Sequence, residues 1–195
     1  AWSTVTPSAG DIVVVRGGTY TDTQDVTGWS GTEGTPTRVV AYPGETVHFQ
    51  NIEYESIDPD SGHDIELRGF TFTTSRSSDN FALWSANSAR ITVAQCDFSG
   101  FNMGAITIGQ GVRATAGPWT IEYCRVHDCV QQNAHEAMLG GGWARAVHID
   151  YSDGTVVRRN RVYENWGEGI GTGGNRSCTI TENIVWDNYS VNVYL

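Results

Sequence analysis

The sequence predicts an all-β solenoid, a parallel β-helix of about seven coils that takes up residues 1–195 as a single domain. Three observations predict it. An apolar anchor returns at Val15, Ala41, Leu67, Val93, Ile121, Val157 and Ile180, in steps of 26, 26, 26, 28, 36 and 23 residues. Three residues after each anchor stands a second column: Gly18, Gly44, Phe70, Cys96, Cys124, Asn160 and Asn183. Around the anchors apolar and polar residues alternate, as in Ile65-Glu66-Leu67, Ile91-Thr92-Val93 and Trp119-Thr120-Ile121. Period two marks a strand with one buried face, and the 3.6-residue rhythm of a helical repeat is absent. A unit this short buries that face only by stacking on its neighbours.

From the N-terminus, Trp2 is the candidate plug of the first coil, because an open solenoid end exposes core and unpaired strand edges. The strict 26-residue steps that follow read as scaffold. Residues 75–88 and 107–118 read as loops between coils, and the 23 glycines, with Asn, Asp, Ser and Thr, supply turns. The step of 36 residues carries a surplus at 130–142 that ends in three glycines. Insertions of this kind in solenoids carry function. In the last two complete rungs, Asn160 and Asn165 superpose on Asn183 and Asn188. Each coil thus has three short strands, with an Asn at two corners. An inward Asn there can satisfy turn backbone and the amide of the Asn one coil away. Stacked at about 4.8 Å, seven coils make a prism roughly 34 Å long. The chain ends at Leu195 inside what should be a third strand, which predicts further coils, a second domain or end-to-end self-association beyond it.

The opening Gly10-Asp-Ile-Val-Val-Val-Arg-Gly-Gly-Thr-Tyr20 and Val39-Val-Ala-Tyr-Pro-Gly-Glu45 resemble the first coils of right-handed parallel β-helix proteins of the pectin-lyase-like superfamily. The Asn-Trp-Gly-Glu-Gly-Ile and Val-x-x-Asn-x-Val phrases resemble its generic repeat. The resemblance covers nearly the whole chain and implies the right-handed fold. It says less of activity, since that superfamily holds lyases, hydrolases, epimerases, tailspikes and non-catalytic surface proteins.

Charge narrows the partners. The net charge is −10, and all 12 basic residues are Arg. Nucleic acid, which needs a basic face, is disfavoured. Polyuronates are not drawn in at long range unless Ca²⁺ bridges the like charges. Without Lys, the base or neutralising group that several similar lyases take from Lys falls to Arg or His. No run of 18 apolar residues predicts a membrane span. Cys96 and Cys124 share a column on adjacent coils, near enough for a disulfide or for two stacked buried thiols.

In-register stacking makes residues one repeat apart into surface neighbours, and three outward columns result. Trp143, Trp166 and Tyr189 form one and His127, Tyr163 and Trp186 another. Such flat rings either stack sugar faces or stack on one another to hold the solenoid. The third column, Asp128, Glu164 and Asp187, sets like charges across a ladder. It reads as a Ca²⁺ site, a carboxylate pair for glycoside hydrolysis, or a solvated edge. Opposite charges also align, at Glu122/Arg158, Arg159/Glu182, Asp97/Arg125 and Arg145/Glu168, and these fix register. The catalytic candidates are His135 and Glu136 of the insert with Arg145, His148, Asp150 and Glu168, since His is the natural general base near neutrality. The reading that follows is an extracellular, secreted or surface protein acting on a polysaccharide as a lyase or hydrolase. Its alternative is a non-catalytic glycan-binding or structural module.

Overall fold

The computed structural model describes residues 2–75, 80–109, 117–133 and 144–195. It is a parallel β-helix of three seven-stranded sheets, each coil giving one strand to each sheet. One coil, for example, runs through Trp119–Glu122, Arg125–His127 and Arg145–Asp150, in the first, second and third sheets. The three-strand coil expected from the Asn-marked rungs is what forms.

Alternation places one residue of each strand triplet inward, and these stack into continuous columns. In the first sheet the column is Val13, Val39, Leu67, Val93, Ile121, Val157 and Ile180. The expected anchors Val15 and Ala41 are therefore two residues too far along. The true step from Val39 to Leu67 is 28 residues. A slip of two keeps the same face inward, so the apolar pattern does not distinguish the registers. The second sheet stacks Tyr20, Phe49, Phe72, Phe98, Val126, Val162 and Val185. Its phenyl rings lie face to face, Phe72 and Phe98 at 4.7 Å with planes 5° apart. The third sheet stacks Ile57, Leu83, Ile106, Val147, Ile170 and Val193. Leu83 comes from strand Phe81–Ser85, inside a stretch expected to be loop. Its apolar Phe81-Ala82-Leu83 is flanked by serines that hid it.

At the corner between the first and second sheets, Gln95, Tyr123, Arg159 and Glu182 adopt φ of 55–57°. At the next corner Asp128, Glu164 and Asp187 take φ of 50–54°. After each left-handed residue the chain points inward, to Cys124, Asn160 and Asn183 or to Cys129, Asn165 and Asn188. The Asn ladders are fully engaged. Asn160 Oδ1 accepts from Cys124 N at 2.8 Å, and its amide donates to Ile121 O at 2.9 Å and Asn183 Oδ1 at 3.0 Å. Asn165 and Asn188 repeat the arrangement at the other corner. All four cysteines are free thiols; Cys96, Cys124 and Cys129 are buried. Burial pushes the Cys124 thiol up, with Cys96 adding to it, and the Cys129 thiol to about 12.

Trp2 closes the N-terminal end. It is buried against Trp29, Phe49 and Phe70, with ring centroids 5.6–6.4 Å away. Among the described residues no helix is long and apolar enough to cross a membrane.

Candidate functional site

Strand Arg145–Asp150 belongs to the third sheet, and its alternation turns Val147 and Ile149 inward. His148 and Asp150 are left on the outer face, half-buried, and the Arg145 side chain at the start of the strand reaches them there, with Glu168 opposite Arg145 on the next strand. These four expected residues come together. Arg145 Nε lies 2.9 Å from Glu168 Oε2, and Nη1 lies 3.0 Å from Asp150 Oδ1. His148 Nε2 is 2.8 Å from Asp150 Oδ2, although out of line for a well-formed hydrogen bond. Burial pushes the Asp150 carboxyl up, but His148 and the Arg145 guanidinium outweigh it and hold the group below its usual range. His135, Glu136 and Trp143, the remaining members of the expected cluster and aromatic column, lie outside the described residues.

Around the corner, Trp166 and Tyr189 are 40% and 64% exposed, their rings 6.0 Å apart and tilted by 34°. With Asp128, Glu164 and Asp187 they line an open groove of about 380 Å³. Beyond it Arg145, Glu168 and Tyr194 line another of about 400 Å³, with the Arg145 guanidinium 5.6 Å from the Tyr194 ring centre. Exposed aromatics thus lead onto the polar cluster, with Gly167 alone between Trp166 and Glu168.

The other two expected columns lie on the second sheet and on the corner after it. His127, Tyr163 and Trp186 stack on one another at 5.0 and 4.4 Å, with planes within 10°. Their faces are spent on the ladder. The Ca²⁺ expectation at Asp128, Glu164 and Asp187 gains no support from the side-chain positions. Among the described residues no three His, Cys, Asp or Glu side chains gather to hold a metal ion. One carboxylate per coil, on corners spaced by the coil rise, does not converge, and Asp128 Oδ2 sits 2.7 Å from His127 Nδ1. The second sheet shows the effect on that imidazole. Hydrogen bonding to Asp97, against the opposing pull of burial and helped by Asp128, raises the His127 pKa.

The sequence reading missed Glu55. It begins strand Glu55–Asp58 of the third sheet, and burial, then Asp58 and Asp60, push its carboxyl to about 8. Its Oε2 is buried without a hydrogen-bond partner, as are Trp84 Nε1 and Thr107 Oγ1. Trp84, Thr107 and His148 form one outward column on successive strands. Glu55 and His148 lie three strands apart, roughly 14 Å. That exceeds the 6.5–9.5 Å of an inverting carboxyl pair or anything shorter, so they are not partners in one step. The available signal was the third-strand position, in a coil where no phrase of the repeat is conspicuous.

Comparison with known proteins settles the family. The family model described as the right handed beta helix region matches residues 39–195. The chain belongs to that family. No curated protein matches the sequence. Among solved structures, this right-handed β-helix is similar to the enzymatically active domain of tailspike protein 2 from bacteriophage CBA120. The identity is 14% and the TM-score 0.40, over 89% of this chain and 34% of that one. It is also similar to full-length tailspike protein 2 of Escherichia coli O157:H7 bacteriophage CAB120, at 13% identity and a TM-score of 0.39, covering 88% and 30%. The chain spans about a third of the length of each.

Proposed function

We propose that this β-helix protein acts on a polysaccharide lying across the outer face of the third sheet, with His148 as its base and Asp150 beside it as the positioning carboxylate. The observation that carries the reading is the meeting of Arg145, His148, Asp150 and Glu168 on one half-buried face, approached over exposed Trp166 and Tyr189. Open aromatic faces stack on the C–H faces of sugars, and a polar cluster beside them is where a glycosidic bond would be worked on. A polysaccharide substrate puts the protein outside the cell, secreted or on a surface.

Between the two chemistries, elimination fits better than hydrolysis. A glycoside hydrolase needs one carboxyl raised to serve as acid. Here one guanidinium bridges Asp150 and Glu168, and Asp150 is held low. His148 beside the cationic Arg145 suits a base instead. In that reaction His148 takes the proton from the carbon next to a sugar carboxylate. The C–H electrons form the C=C bond, and the glycosidic C–O bond breaks with its oxygen protonated from water.

One observation favours a non-catalytic glycan-binding module: the four side chains are already paired with one another. The test separates the readings. Acidic and neutral polysaccharides are screened for unsaturated products absorbing in the near ultraviolet and for reducing ends. His148→Ala is expected to lower product formation by about a hundredfold with an unchanged Tm. Glycan binding lost in Trp166→Ala, without product from any polysaccharide, would establish the binding module instead.

A further inference from the structure

The corner between the first and second sheets carries a further groove, on the opposite side of the prism from the third sheet. It holds about 500 Å³ and is lined by Arg125, Arg159, Arg161, Tyr123, Gln95 and Asp97, among others. Three of the chain's 12 arginines meet here, in a protein of net charge −10. Two of them are held by carboxylates. Arg125 pairs with Asp97, and Arg159 Nε lies 2.5 Å from Glu182 Oε2. Arg159 Nη1 also donates to Tyr123 Oη at 2.6 Å, which fixes the guanidinium against that half-exposed ring. Asp97 is divided, because its other oxygen lies 3.2 Å from His127 Nε2.

Arg161 is different. It stands directly across the ladder from Arg125, and its neighbour on the far side is exposed Ile184. Among the described residues no carboxylate lies within ion-pair reach of it. Glu122 meets Arg158, Arg159 meets Glu182 and Asp97 meets Arg125, whereas Arg125 and Arg161 are like charges in register, an arrangement that destabilises a sheet. An anion between them removes that penalty. A guanidinium fork matches a carboxylate or sulfate bidentately, and adjacent forks in a groove grip one oxyanion from two sides.

We propose that this groove is a binding site for an oxyanion-bearing saccharide, whose carboxylate or sulfate sits between Arg161 and Arg125 with its ring against Tyr123. The volume falls within the range of small-ligand sites. Three guanidinia on an otherwise acidic surface suit one or two charges. They do not suit an extended polyphosphate, which needs many contacts along its length. The site is independent of the third-sheet reading, since neither His148 nor Asp150 takes part.

Calorimetric titration tests it with a uronate disaccharide, a sulfated disaccharide and the neutral counterpart. Binding of either acidic sugar, weakened by salt and about tenfold weaker in Arg161→Gln, is expected. Arg158→Gln removes the same net charge from a residue paired with Glu122 and outside the groove lining, and should bind as wild type. Equal binding of the neutral sugar, equal loss in both variants, or no binding of either acidic sugar overturns the proposal. So does preference for a single-stranded oligonucleotide. Which acidic sugar binds tells carboxylate from sulfate.

Discussion

A single buried carboxyl makes the sharpest statement at the scale of the residue. Glu55 titrates at about 8 in the folded chain, against about 4.3 when unfolded. Below the unfolded value both states carry the proton and the group is neutral in the balance. As pH rises the unfolded chain ionises first, so wild type loses stability between about pH 4 and 8 and nothing further above that. Glu55→Gln is neutral in both states and removes the loss. Its Tm is expected to match wild type at pH 4 and to exceed it by several degrees at pH 8, measured by thermal melts across that range. Nothing in the sequence around Glu55 announced this. A pKa depends on what buries the group and on which carboxylates surround it, and Asp58 and Asp60 act there through folded geometry. The pairs Glu122/Arg158 and Arg145/Glu168, by contrast, were legible, because knowing the repeat is enough to know which side chains stand side by side.

At the scale of the element, the corners rather than the strands hold the coils together. Asn160 satisfies the Cys124 amide and the Ile121 carbonyl of one coil and meets the Asn183 amide of the next. Asn160→Ala leaves those buried groups unmatched, at about 1–3 kcal/mol for each. A loss of roughly 3 kcal/mol in urea unfolding is expected, with Asn160→Asp much less well tolerated than its size suggests, since a carboxylate cannot donate to Ile121 O. The inward Asn was readable from its recurrence, whereas the left-handed residue before it was not. Gln95, Tyr123, Arg159 and Glu182 share a conformation but no chemistry, so no residue type marks the position. The strand Phe81–Ser85 failed to show for a related reason. Five residues between serine-rich flanks carry too little pattern to be told from a loop, unless the three-strand coil is imposed from neighbouring rungs.

At the scale of the whole molecule, each coil touches only the coils beside it, so stability is a sum of coil and interface terms and opening begins at the ends. The four thiols are reporters of that order. Cys96, Cys124 and Cys129 lie buried in central coils, while Cys178 is partly exposed in the last complete one. There the inward column gives way to solvent, with Val193 36% exposed and Leu195 83% exposed. Burial raises the Cys124 and Cys129 thiols above their usual pKa, and all three central thiols are closed off from a reagent in solution. A thiol reagent added to native protein is therefore expected to label Cys178 first. Cys96, Cys124 and Cys129 should follow together at a much slower rate that tracks global unfolding as urea is raised. Early labelling of Cys124, midway along the stack, would show that the solenoid opens from its centre, contrary to coils held chiefly by their neighbours.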